Sequence, residues 1–192
     1  LLERGIGNMR TEKEKMISGE MYDASDLALS KARGLAQEKL KAFHQVQDSQ
    51  ERYGILKGLF GTTGNKYHVN SGLIVDYGFN IHIGENFYAN FNCTLLDICP
   101  ITIGKNCMLA PNVQLYTATH PLDPIERNTS IEYGKPITFG DNVWVGGGAI
   151  IIPGVTLGDN VVVGAGAVVT KSFPDNVVLG GNPAKIIKTL DL

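Results

Sequence analysis

This chain of 192 residues has no block of basic residues: 17 Lys plus Arg stand against 19 Asp plus Glu, spread along its length. A surface that tracks phosphate backbones needs such a block, so nucleic acid is not an expected partner. Long hydrophobic runs are missing as well. Ala149–Pro153 is among the longest, far short of the ~20 residues of a membrane-spanning helix. Cysteine is scarce and odd in number, at 93, 99 and 107 with no CxxC pair, which predicts a reducing, cytoplasmic setting. The first residues show no charged segment, apolar stretch and cleavage site in sequence, so export is not expected. Residues 1–8 carry no pattern and are taken as a cloning remnant ahead of Met9 as the natural start. The length predicts one compact domain, with or without an appendage.

Helical signals are confined to the first third. Thr11 stands before Glu12-Lys13-Glu14 as a cap-type residue, and Gly19 breaks the run that follows. Ser25 or Asp26 can cap a second helix to about Gln47, with Leu29, Ala32, Ala36, Leu40 and Phe43 near helical spacing. A short third segment spans Gln50–Phe60, and Gly61–Asn65 reads as a linker. Residues 9–64 are therefore expected to form a helical packing cap with a linker.

Beyond Tyr67 the helical period disappears and a six-residue beat takes over. Its first positions are Ile83, Ala89, Leu95, Ile103, Leu109, Leu115, Phe139, Val145, Ile151, Leu157, Val163 and Val169, all apolar. Glycine recurs at second positions (Gly84, Gly104, Gly140, Gly146, Gly158, Gly164), where bends with unusual dihedrals are expected. All three cysteines fall in the fifth position, as small buried fillers. Six residues match neither strand alternation nor a helical turn; they fit short strands separated by bends and stacked as a parallel β-solenoid. Phe139-Gly-Asp-Asn and Leu157-Gly-Asp-Asn lie 18 residues apart, three hexapeptides per triangular coil. Ile83 precedes Ile103 by 20, which places a two-residue insertion near Asp97–Pro100. The solenoid is expected over residues 65–184, with residues 185–192 as a C-terminal tail. Between His120 and Pro136 the repeat is absent over the length of one coil, and a loop leaving a rigid stack there is a functional candidate.

The Ile-Gly-x-Asn repeats resemble those of the hexapeptide-repeat acyltransferases. Tyr77–Asn92, Ala110-Pro-Asn112, Thr117-Ala-Thr-His-Pro121 and Gly180-Gly-Asn-Pro-Ala184 resemble the maltose and galactoside O-acetyltransferase group, and Glu12–Tyr22 resembles the cap of its maltose members. The resemblance runs from Met9 to Leu192. It implies a left-handed β-helix, against the right-handed preference of ordinary parallel crossovers, and direct acetyl transfer from acetyl-CoA to a sugar hydroxyl without an acyl-enzyme or metal. Such transfer needs a base for the alcohol proton, and imidazole has a suitable pKa. His44 lies on a helix face, His68 in the approach to the solenoid, and His82 beside a first position, whereas His120 stands at the loop root before Pro121 within the family's catalytic motif.

By resemblance, Asn90, Tyr88, Asp76, Asp97 and Glu132 belong to the acceptor site, with Asp23 and Asp26 as weaker candidates. Ile98 stands where galactoside members carry a second acid, which tilts the acceptor toward maltose or glucose; the resemblance implies the 6-hydroxyl as the group acetylated. The donor positions are Trp144 and Gly147 beside the thioester, Ala165, Thr170 and Lys171 along the arm and adenine, and Lys185 and Lys188 at the nucleotide phosphates. The Gly147 amide is the expected oxyanion donor. Homotrimers with active sites between subunits are implied. Three other readings stay open: a galactoside, chitooligosaccharide, amino sugar or xenobiotic acceptor; a γ-class carbonic anhydrase, which needs histidines converging on zinc; and a non-catalytic solenoid, which should display outward ladders of one residue type that the sequence does not show.

Overall fold

A computed structural model describes residues 10–192; the expectations for residues 1–8 and for Met9 lie outside the described residues. Three parallel sheets form a β-helix. The chain passes repeatedly from sheet I (Ile81–Ile83, Ile101–Ile103, Ile137–Phe139, Thr156–Leu157) to sheet II (Tyr67–Val69, Phe87–Ala89, Met108–Leu109, Trp144–Val145, Val162–Val163, Val177–Gly180) and on to sheet III (Ile74–Val75, Thr94–Leu96, Gln114–Tyr116, Ile150–Ile151, Val168–Val169). Every first position that the repeat defines is buried, from Ile83 at 4% exposure to Val169 at 0%. These side chains stack coil on coil in one continuous core that includes Cys93 and Cys107, while Cys99 is buried beside the cap, its thiol donating to the Met16 carbonyl. Each buried aliphatic stabilises the stack by about 1.5–3 kcal/mol, so a charged residue at Leu109 or Val145 would break it.

The second-position glycines do not have the unusual dihedrals expected of them. Positive φ falls instead at fourth positions, on Asn86, Asn92, Asn106, Asn112, Asn142 and Asn160, and on Gly148, Gly154 and Gly166. Second positions need glycine for space: a Cβ on Gly104 would sit 2.4 Å from the Gly140 carbonyl oxygen of the next coil. Asparagine tolerates the left-handed region because its short side chain bonds locally. Here its amides link coils, from Asn86 to Asn106 (3.0 Å), Asn142 (3.2 Å), Asn160 (2.9 Å) and Asn176 (2.7 Å). A threonine row, Thr102, Thr138 and Thr156, also runs up the outer face of sheet I. The expected absence of outward single-residue ladders is thereby corrected. The asparagine ladder is a structural device, since its amides bond each other.

Three helices cover the N-terminal end. Helix α1 (Glu12–Ser18) starts at a Thr11–Glu14 capping box and stops at Gly19 with φ 81°. Helix α2 (Leu27–Gln45) is capped by Asp26, and α3 (Ser49–Leu59) by Asp48. Ala36, Leu40, Phe43, Leu56 and Leu59 join the solenoid core, while Met16, Tyr22 and Leu29 form a second cluster with Tyr77 and Ile98. The Gly61–Asn65 segment lies along the first coil, where Thr62 bridges His82 and the Gly64 N–H donates to Ile83. The C-terminal residues are more than a tail, since Lys185–Thr189 pairs antiparallel with Val177–Gly180.

Departures from the six-residue beat gather at one corner, between sheets III and I. Val75 and Ile83 lie eight residues apart, Leu95 and Ile103 eight, and Leu115 and Phe139 twenty-four. The first of these insertions, Asp76–Asn80, was not expected from the sequence. The long excursion takes no room in the stack, because Ile101–Ile103 pairs directly with Ile137–Phe139. It folds outward as Ala118–Thr119 against Ile131–Gly134, which also pairs with Tyr22–Asp23 of the cap, and holds the short helix α4 (Pro124–Arg127) at its tip.

Candidate active site

The three stacked insertions and the cap enclose a cavity of about 250 Å³ lined by Ala24, Arg33, Asp76, Tyr77, Leu96, Ile98, Ala118, His120 and Glu132. His120 stands at the root of the excursion with 54% of its side chain exposed. Its Nε2 lies 3.7 Å from Oε2 of Glu132, whose side chain is only 17% exposed. The other Glu132 oxygen accepts a hydrogen bond from the Tyr22 hydroxyl. Burial and the Glu132 carboxylate push the Tyr22 phenol well above its usual pKa, so that hydroxyl remains a donor. A glutamate fixed in this way offers its free oxygen to one edge of the imidazole.

Asp76 faces the same space. Burial and the nearby Glu132 charge push its carboxyl up to about 6, against the opposing pull of Arg33. The Arg33 guanidinium is held by the Tyr77 hydroxyl at 2.7 Å and the Ala24 carbonyl at 2.9 Å. Asp97 was expected to touch an acceptor, and this is corrected: it is 0% exposed and does not line the cavity. Its carboxylate accepts the backbone N–H groups of Asp76 (3.1 Å), Tyr77 (2.9 Å) and Asn80 (3.2 Å). Asn80 returns two bonds, to the Asp97 and Ile98 carbonyls. Asp97 thus pins one insertion to the next, although burial pushes it up to about 7 despite those donors. Asp26 is the α2 cap, and the Asp23 carboxylate is taken by Ser25.

Arg33 and Tyr77 were not among the residues expected at the site, although Tyr77 opens one of the family-like motifs. Arg33 had a signal: it lies four residues after Leu29 and three before Ala36, a charge on an apolar helical stripe.

The remaining expected residues are not in this cavity. Tyr88 is on the outer face of sheet II, its hydroxyl accepting from the Asn70 amide at 3.0 Å. Asn90 follows at the corner between sheets II and III, its side-chain oxygen taking the Phe91 N–H at 2.8 Å. Up that corner Pro111, Gly147 and Ala165 stack, linked by Gly148 N–H to Pro111 O (2.9 Å) and Gly166 N–H to Gly147 O (2.8 Å). Among the described residues the Gly147 and Ala165 N–H groups have no acceptor. No atom lies within 4 Å of where a Cβ would stand on Gly148 or Gly166, so the backbone is bare. Trp144 is 50% exposed on sheet II beside it. Thr170 and Lys171 are exposed at the corner after sheet III, and Lys185 and Lys188 are exposed on the last strand.

The three thiols are pushed up to about 11 by burial, which leaves no thiolate nucleophile near neutral pH. His82 pairs with Thr62 on sheet I and His68 with Asn70 on sheet II, on faces separate from His120. Among the described residues no three His, Cys, Asp or Glu side chains are grouped to hold a metal, and no helix is long and apolar enough to cross a membrane.

Comparison with known proteins places this arrangement. Residues 15–64 match the maltose acetyltransferase hexapeptide capping motif, and residues 136–171 match the bacterial transferase hexapeptide (six repeats). The structure matches a maltose O-acetyltransferase from Clostridium difficile 630 with a TM-score of 0.94 and 52% identity, over 96% of this chain and 100% of that one. A hexapeptide-repeat containing acetyltransferase from Vibrio cholerae O1 biovar eltor, solved in complex with acetyl coenzyme A, matches at a TM-score of 0.90 and 37% identity, covering 95% and 100%. The galactoside O-acetyltransferase of Escherichia coli K12 is 41% identical over 180 residues, 90% of this chain and 89% of its own. With cap and repeats both matched and such identity over nine-tenths of the chain, the chain belongs to the hexapeptide-repeat acetyltransferases, in the group of the maltose and galactoside enzymes.

Proposed function

We propose that this protein moves the acetyl group of acetyl-CoA to a hydroxyl of maltose, glucose or a related sugar, with the 6-hydroxyl as nucleophile and His120 as general base. The observation that carries this reading is the pairing of His120 with Glu132 at the mouth of the acid-lined cavity. A hydroxyl seated there gives its proton to His120 as its oxygen attacks the thioester carbonyl. The C–O bond forms, the C–S bond breaks, and the imidazolium returns its proton to the departing thiolate. Glu132 steadies the imidazole edge during attack. Asp76 accepts hydroxyls of the sugar.

The bare corner fits the donor. Free N–H groups on Gly147 and Ala165 face outward from a rigid stack, where a narrow pantetheine arm can approach the backbone closely. Gly147 supplies the oxyanion donor in a geometry fixed before the reaction. Lys185 and Lys188 offer point charges to phosphates, without the fork of an arginine.

His120 and the Asn90–Gly147 corner lie at different corners of one chain. A closed homotrimer, in which each His120 faces the Asn90, Tyr88 and Gly147 of a second copy, joins them. Ile98 in the cavity wall favours maltose or glucose over a galactoside. The test is coenzyme A release with maltose, glucose, thiogalactosides and chitobiose. Turnover highest with the first two and lowered about 10²–10⁴-fold by His120→Ala is expected; wild-type turnover in that variant would remove His120 from the mechanism.

A further inference from the structure

One groove lies outside the reaction described so far and borders it at Tyr88. The outer residues of sheet II form a single ladder in register, Trp144–Met108–Tyr88–His68. Trp144 stands at the donor end and Tyr88 at the acceptor end, and His68 carries the line one coil further, to where α3 closes the stack. Two cavities meet there and share Tyr67 and His68. One, of about 310 Å³, includes Tyr88; the other, of about 350 Å³, lies under α3 against Tyr53, Gln50 and Arg52, within the range of small-molecule sites. Aromatic planes line the path. His68 and Tyr88 stack at 5.7 Å and 12°, and Tyr53 and Tyr67 at 4.5 Å and 19°. Asn70 fixes the first pair, bonded to His68 Nε2 at 3.1 Å and to the Tyr88 hydroxyl at 3.0 Å.

We propose that this groove is a second acceptor subsite, which holds a further pyranose ring of an oligosaccharide whose terminal ring is acetylated at Tyr88 and Asn90. The proposal rests on the sugar-acetylation reading above. Flat rings match the C–H faces of a pyranose, and the exposed Gln50 amide and His68 imidazole can exchange bonds with hydroxyls. Arg52 is spent on the Phe43, Val46 and Val69 carbonyls, so the groove suits a neutral chain over a phosphorylated one. Direction agrees too. The donor runs along the later coils, and the far end of the acceptor is left with the earlier ones.

The test compares kcat/KM for maltotriose with that for glucose. The wild-type ratio should exceed one and fall about tenfold in His68→Ala and in Tyr53→Ala, the worth of one stacked ring. A wild-type ratio of one or less, or a ratio untouched by both variants, overturns the subsite. A second measurement needs no turnover: maltotriose should shift the His68 imidazole NMR signals of the full-length protein while glucose does not, and unmoved signals contradict the proposal. If no sugar is acetylated but His68 still responds to maltotriose, the transfer reading fails and the subsite stands.

Discussion

Two corners of the same solenoid show opposite uses of one repeat. Between sheets I and II the beat is never interrupted, and every coil offers the next an asparagine amide and, in later coils, an aspartate oxygen: Lys105 N–H to Asp141, Asp141 N–H to Asp159, Asp159 N–H to Asp175, each at 2.7 Å. Polar groups there are consumed by neighbouring coils. Between sheets III and I the beat is broken in three successive coils, and carboxyls and an imidazole are left facing a cavity. The core beneath the two corners is the same. Between sheets I and II regularity uses up hydrogen-bonding capacity, and between sheets III and I interruption frees it for a ligand.

The contrast can be broken from either side. The largest stability effect is expected on the regular corner. In Gly140→Ala the new Cβ would stand 2.2 Å from Asp159 Oδ1 and 2.8 Å from its backbone nitrogen. Overpacking of this kind costs about 2–3 kcal/mol, or a Tm lower by about 5–10 °C, and thermal unfolding at the wild-type midpoint would refute the account of spacing. On the broken corner, Glu132→Gln keeps an acceptor for Tyr22 and removes the charge beside His120. It should lower kcat about tenfold with little change in KM; an unchanged kcat would show that Glu132 does not assist the imidazole.

Buried carboxyls at this corner should also register as a pH effect. Asp76 and Asp97 are raised in the fold to about 6 and about 7, so between about pH 4 and 7 these two groups bind more protons in the native protein than in the unfolded chain. Their contribution to stability then falls as pH rises through that window. Asp76→Asn removes part of this burden. At pH 8 it should be more stable than wild type by about 2 kcal/mol, and at pH 4 equal to it. Parallel Tm curves for the two proteins would disprove the shift. The smallest effect is assigned to Asn142→Ala, about 1 kcal/mol for a left-handed alanine, with Asn142→Gly losing less. Equal losses in the two variants would mean that the ladder, not the dihedral, selects asparagine.

The solenoid was legible because each coil repeats one decision, an aliphatic residue pointing inward, and twelve such positions override local ambiguity. The bends were legible in place but not in cause. Glycine at second positions signals crowding between coils, a relation between residues 15 to 37 apart that no local dihedral preference encodes. His120 and Glu132 could be named, yet their contact depends on Tyr22 from the cap, 110 residues away from Glu132. Asp97 was misassigned because a carboxylate that pins backbone reads, in sequence, like one that binds a sugar. Asn90 and Tyr88 have no counterpart across the cavity within one chain, since their proposed partners lie on a second copy.

Mixing two inactive proteins tests that central claim most directly. Neither His120→Ala nor Asn90→Ala should acetylate a sugar appreciably alone. If each site joins His120 of one copy to Asn90 of the next, trimers assembled from equal amounts of both contain intact sites and recover about a quarter of wild-type activity. No activity above that of the separate variants would contradict a site shared between copies.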